Sequence, residues 1–158
     1  MEPQVLIVGA GPVGLSTALF LKLRDVEVRI VEAKEAPHTT SRALGVNPRT
    51  LALFESTGVT EAILKEALVM RALHLHYQGR PVTRVALEPR RLGQKYPMVV
   101  LPQARTEALL TDALEQLGVS VERGKALEAL EQDASGVTAR FADGSEARAA
   151  VLFGADGA

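Results

Sequence analysis

Gly9-Ala10-Gly11-Pro12-Val13-Gly14 places glycine wherever a strand turning into a helix must let its backbone come close to something else. Gly9 permits the tight turn, Gly11 lets the main chain approach a diphosphate, and Gly14, with the later Ala18, lets the helix lie close on a sheet. The helix opens at Pro12 and Val13, and its first N–H groups have no intrahelical acceptor, so that end carries partial positive charge suited to phosphate oxygens. Further along, the apolar run Val28-Arg29-Ile30-Val31 ends on Glu32, a carboxylate able to accept hydrogen bonds from ribose hydroxyls. Together these residues have the chemistry to hold the ADP half of a dinucleotide. A glycine-rich turn can arise by chance; the acid closing the second apolar run sets this one apart.

The elements that must position these residues are legible in the pattern. Residues 4–8 and 27–32 read as parallel strands joined by a helix from Pro12 to Arg24, whose crowded apolar positions suit packing on a sheet. A polar loop, Lys34–Gly45, follows. Asn47-Pro48 reads as a helix cap with proline in the first turn, that helix stopping at Gly58, and Thr60 as the cap of a short helix to Leu68. From Met70 to Val100 alternation takes over: Leu73, Leu75 and Tyr77 on one face, His74 and His76 on the other, a turn at Gln78-Gly79-Arg80-Pro81 and a returning strand from Val82 to Leu87. Gln103–Gly118 predicts an amphipathic helix with Leu109, Leu110, Ala113, Leu114 and Leu117 on one face, and Val119–Glu122 a return to the parallel sheet. Leu127–Gln132, Val137–Phe141 and Glu146–Ala149 read as a small antiparallel meander, after which Val151–Phe153 rejoins the sheet. The fold class is therefore α/β: a Rossmann-like parallel sheet with helices plus a β-meander, in one domain over residues 1–158.

Composition narrows the function classes. The chain has 158 residues, 47% of them hydrophobic, and a net charge of −1, which gives no electrostatic case for nucleic acid or an anionic membrane as partner. With no cysteine there is no disulfide, thiolate catalysis or cysteine-based metal site, and a cytoplasmic location fits. Pro3–Leu21 carries no charge, yet its glycines and proline divide it into strand and helix start rather than a membrane span. His74 and His76 lack a nearby third ligand, so no metal site is expected, and His38 has no assigned role. The Arg80, Arg84, Arg90, Arg91, Lys95 cluster reads as a solvated face. No nucleophile elbow or Ser-His-Asp pattern appears, and no residue is expected to be catalytic. The closing run Val151-Leu152-Phe153-Gly154-Ala155-Asp156-Gly157 reads as a strand entering a functional loop, so the domain is expected to be incomplete.

With Ser41-Arg42-Ala43-Leu44-Gly45-Val46-Asn47-Pro48-Arg49-Thr50, Leu101-Pro102-Gln103-x-Arg105-Thr106-Glu107 and Gly154-Ala155-Asp156-Gly157 added to the glycine turn and Glu32, the whole chain resembles the N-terminal part of the FAD-dependent aromatic hydroxylases, the flavoprotein monooxygenases of the p-hydroxybenzoate hydroxylase type. The resemblance implies that the turn from Gly9 through Gly11, Pro12, Val13 and Gly14 holds the FAD pyrophosphate and that Glu32 holds the adenosine ribose. It also implies that Arg42 and Gln103 reach the central part of FAD, that Leu127 packs near the adenine, and that Asp156-Gly157 serves FAD and pyridine-nucleotide handling. Ala33 occupies a cofactor-side position where relatives often carry arginine; Lys34 is the nearest substitute. The activity so implied is hydroxylation of a small aromatic substrate by O₂ through a flavin hydroperoxide, with NADH or NADPH as reductant. Residues 1–158 alone are expected to bind FAD weakly or not at all.

Read without the resemblance, several of these residues have plainer roles. Arg42 can be a solvated loop arginine, Gln103 a helix-capping residue, and Asp156 before Gly157 a turn. Other activities also fit the same elements: a halogenase, epoxidase or prenyl-lipid reductase, an NAD-dependent Rossmann dehydrogenase, or a nucleotide-binding module without catalysis.

Overall fold

The computed structural model describes residues 3–37, 44–89 and 93–157. His38, Ser41, Arg42, Ala43, Arg90, Arg91 and Leu92 lie outside the described residues. In chain order the elements begin with β1 (Val5–Val8), α1 (Pro12–Lys22), β2 (Val28–Glu32), β3 (Gly45–Val46), α2 (Pro48–Leu53) and a short 3-10 turn (Glu55–Thr57). Next come α3 (Val59–Glu66), β4 (Leu68–Val69), β5 (Ala72–Tyr77), β6 (Arg80–Ala86), β7 (Val99–Val100) and α4 (Gln103–Gln116). The chain closes with β8 (Val121–Arg123), β9 (Leu127–Asp133), β10 (Gly136–Phe141), β11 (Glu146–Ala149) and β12 (Val151–Gly154). Two compact units result: residues 1–40 with 107–158, and residues 41–106.

The first unit is built on a parallel sheet of order β12-β1-β2-β8, as the apolar runs predict. Both faces of its central strands are covered, so β1 reads as a continuous apolar run rather than an alternating one. On one face Leu6, Val8 and Val31 pack with Val137, Ala139, Phe141, Ala147 and Ala149 of the antiparallel sheet β11-β10-β9. The opposite register positions, Ile7 and Ile30, are fully buried, and α1 packs along β1 and β2 through buried Leu15, Ala18 and Leu19. α1 ends at Lys22, two residues short of the expected Arg24. Its closing turn uses Asp25 at φ +59, a left-handed conformation that aspartate tolerates better than most residues, with the Val26 N–H donating to the Leu21 carbonyl. Within α4, Leu109, Leu110 and Leu114 are buried as predicted, whereas Leu117 lies past the helix end and is exposed.

β2 and β8 are further clamped by a bidentate pair, Arg29 Nε and Nη2 each donating to Glu122 at 2.7 Å. The Arg29 guanidinium and the Lys125 ammonium also lie 6.0 and 5.8 Å from the centroid of the buried Phe141 ring. These cations cover the rim of the core on the meander side.

In the second unit, three two-residue strands form the small sheet β3-β7-β4, and β5 and β6 form a separate hairpin. Asn47 caps α2 as predicted, its Oδ1 accepting from the Thr50 N–H at 2.9 Å with Pro48 in the first turn. Thr60 is not a cap. Helix α3 starts one residue earlier, behind Gly58 in the left-handed conformation at φ +78. The Thr60 hydroxyl is instead buried and donates to the Leu51 carbonyl at 2.5 Å, tying α3 to α2. Thr60→Val, which keeps the shape and removes the donor, is expected to cost about 1 kcal/mol in a denaturant titration because the Leu51 carbonyl loses its bond from this hydroxyl.

Candidate dinucleotide-binding site

The glycine turn sits at the carboxyl edge of the parallel sheet, where the chain leaves β1 for α1. Its conformation is set by backbone crowding. Gly9 adopts φ +105 and donates its N–H to the Val31 carbonyl at 2.8 Å; a Cβ there would stand 2.3 Å from the Ala155 carbonyl oxygen. Gly14 lies so close beneath the turn that a Cβ would fall 1.9 Å from the Gly9 carbonyl oxygen. No side chain fits at either place without moving main chain.

Gly11 differs from both. It is the N-cap of α1, with an extended backbone (φ −75, ψ −178), and a Cβ built on it meets nothing within 4 Å. It borders open space. No side chain caps α1; Pro12 has no N–H to give, and the Leu15 N–H is the first to return to Gly11 O, at 3.0 Å. Helix geometry therefore leaves the Val13 and Gly14 amides without an intrahelical acceptor, at the positive end of the helix dipole. Val13 itself is exposed and Pro12 half-buried.

Glu32 closes the other side of the turn. Its Oε2 accepts the Ala10 N–H at 2.8 Å and its Oε1 the Lys34 N–H at 3.0 Å, so the carboxylate is held at the turn. Burial opposes its ionisation, but the N–H groups of Ala10 and Lys34, with the charges of Arg123 and Lys34, outweigh that and hold its pKa below the ordinary carboxylate value. Each oxygen retains acceptor capacity beyond its single backbone bond.

Other residues singled out in the sequence are placed as follows. Ala33 follows Glu32 directly and presents only a methyl group. Gly154-Ala155-Asp156-Gly157 abuts the glycine turn: the Ala155 N–H donates to the Val8 carbonyl at 2.7 Å, and Gly157 has φ +85. The Asp156 side chain is exposed. Leu127 begins β9, half-buried against the core and opposite Phe141 in the register of β9 and β10. Gln103 begins α4 in the second unit, where Arg105 makes a bidentate pair with Glu66 at 2.6 and 2.7 Å. Arg42 lies outside the described residues. His74 and His76 stand exposed on β5. Sequence reasoning missed the Ala10 amide that anchors Glu32 and the Ala155 carbonyl that dictates glycine at position 9. Both are main-chain groups distant in sequence from the residue they act on, so the sequence shows Gly9 and Glu32 but not their partners.

Comparison with known proteins agrees with this geometry. Residues 2–158 match the FAD binding domain family. The chain is 40% identical to 6-methylpretetramide 4-monooxygenase of Streptomyces rimosus over 98% of its own length and 28% of that enzyme's. Among solved structures, the anhydrotetracycline hydroxylase OxyS of Streptomyces rimosus matches with a TM-score of 0.85 at 37% identity, over 99% of this chain and 32% of that one. The flavin-dependent monooxygenase PieE, solved in complex with FAD and substrate, matches with a TM-score of 0.87 at 31% identity, over 100% of this chain and 31% of its own. The chain thus spans about a third or less of the length of these relatives. By sequence and by fold, it belongs to the FAD-binding domain family found in flavin-dependent monooxygenases.

Proposed function

We propose that residues 1–158 are the FAD-binding part of an NAD(P)H-dependent monooxygenase that hydroxylates a small aromatic substrate with O₂. The observation that carries this reading is the open space at Gly11 flanked by unpartnered helix amides on one side and the anchored Glu32 carboxylate on the other. When bound there, FAD supplies the redox chemistry, accepting reducing equivalents from a nicotinamide and activating oxygen.

The work of this chain is binding and orientation. The Val13 and Gly14 amides receive the pyrophosphate at Gly11, and Glu32 receives the adenosine ribose hydroxyls. Arg42 and Gln103 serve the middle of the cofactor, Leu127 lies toward the adenine, and Asp156-Gly157 borders the diphosphate. No side chain in residues 1–158 acts as nucleophile or general base, and the protein works in the cytoplasm. Among the described residues no helix is long and apolar enough to cross a membrane.

The test is to purify the protein from its complete reading frame and trace the oxygen atom. A yellow protein with one FAD per chain, whose aromatic product takes ¹⁸O from ¹⁸O₂ while NADH or NADPH is consumed, is the expected result. Absence of flavin overturns the cofactor assignment. Bound flavin with no oxygen transfer to any aromatic compound overturns the reaction while leaving the cofactor standing.

A further inference from the structure

We infer that Arg123 is a further binding residue for the adenosine half of the dinucleotide, lying with its guanidinium flat against the purine. The inference rests on the reading that Glu32 holds the ribose, and extends it to the next strand. Glu32 and Arg123 are the last residues of β2 and β8, and they are direct register partners in the parallel sheet. Partners in register project to the same face, so the arginine stands beside the ribose acid at the ligand-bearing edge.

Sheet order gives the direction of the ligand. A diphosphate at the turn after β1 and a ribose at the end of β2 make a line that continues, in the order β12-β1-β2-β8, over the end of β8. The base arrives where Arg123 is.

The arginine is held there by its surroundings rather than by its own side chain. On the opposite face the Arg29–Glu122 clamp fixes β8 to β2. Beyond the strands the Lys125 N–H donates to the Glu32 carbonyl at 2.9 Å, and the Gly124 N–H to the Lys34 carbonyl at 3.3 Å. Among the described residues the half-buried Arg123 side chain makes no hydrogen bond or ion pair of its own. Its charge favours the ionised form of Glu32, whose hydrogen bonds come from the Ala10 and Lys34 N–H groups. Ala33, on the other flank of Glu32, offers the base no polar or planar group. A planar, permanently charged guanidinium with no hydrogen bond or ion pair of its own among the described residues is the group suited to stack on a neutral aromatic base.

The experiment measures FAD and ADP dissociation constants by titration calorimetry on the protein from its complete reading frame, for wild type, Arg123→Leu, Arg123→Lys and Gly11→Val. Arg123→Leu is expected to weaken both ligands roughly tenfold, and Arg123→Lys to recover only part of that, because lysine keeps the charge but not the plane. The melting temperature and the visible spectrum of the saturated flavin are expected to stay at wild-type values. Unchanged affinity in Arg123→Leu, full recovery in Arg123→Lys, or loss accompanied by an altered flavin spectrum and a lower melting temperature would each overturn the stacking role. If Gly11→Val also leaves FAD affinity intact, the underlying dinucleotide reading falls with it; if only the arginine variants are silent, Arg123 alone is misassigned.

Discussion

Gly11→Val is expected to weaken FAD binding roughly 100-fold while costing no more than about 1 kcal/mol of stability, the ordinary penalty for a β-branched residue at a helix N-cap. The separation of the two effects comes from geometry. Gly11 has an extended backbone open to any residue, and a Cβ there touches no protein atom within 4 Å. An isopropyl group fits the fold but fills the space through which phosphate oxygens must reach the Val13 and Gly14 amides. Gly14→Ala gives the opposite pattern: one methyl group 1.9 Å from a main-chain oxygen forces the turn off the helix, at about 3 kcal/mol or more. Paired denaturant and FAD titrations check both. A Gly11→Val protein that binds FAD like wild type would remove the diphosphate from this turn.

That contrast also marks how far the sequence could be read. The strand–turn–helix–strand unit was legible because its signals are local: apolar runs set against a glycine spacing that few other structures require, with an acid at the end of the second run. The meander was legible for the same reason, since Asp133-Ala134-Ser135-Gly136 and Asp143-Gly144 punctuate alternating segments that the structure pairs as β9, β10 and β11. Strands β3, β4 and β7 were not, because two residues carry no period.

Thr60 shows a different failure. A threonine at a helix start reads as a cap, yet Gly58 takes the cap position in a left-handed conformation and the hydroxyl serves a buried carbonyl on the preceding helix. Tertiary demand overrode local preference. In the β5–β6 hairpin the alternation of Leu73, Leu75 and Tyr77 correctly gave a strand, but alternation alone does not say that the apolar face is covered: all three side chains are exposed. At the site, the residue types at Gly9, Gly11, Gly14 and Glu32 were readable. The separate roles of the three glycines were readable too; the atoms that impose them were not, since only the fold shows that the Ala155 carbonyl crowds Gly9, that the Gly9 carbonyl crowds Gly14 and that Gly11 faces open space.

Glu32 makes the second large effect. Glu32→Ala is expected to lower FAD affinity roughly 30-fold, the order of magnitude for removing a charged acceptor of two ribose hydroxyls. It also takes the side-chain acceptor from the Ala10 amide, loosening the turn that shapes the diphosphate site. Glu32→Gln separates these consequences: an amide oxygen still accepts from Ala10, so stability at neutral pH falls less than affinity. The pH dependence fixes the sign. The folded-state pKa lies below its ordinary value, so the carboxylate favours the folded protein at pH values above the unfolded-state pKa, and that contribution disappears as pH drops through the lowered folded-state pKa. FAD affinity should therefore be flat from about pH 6 to pH 8 as far as this group is concerned, and the stability gap between wild type and Glu32→Gln should close only in acid, below about pH 4. Denaturant titrations of the two proteins across that range check it. A gap that widened in acid would mean that the protonated form of Glu32 is the one the fold prefers, and a protonated acid held by backbone amides is the wrong partner for a ribose.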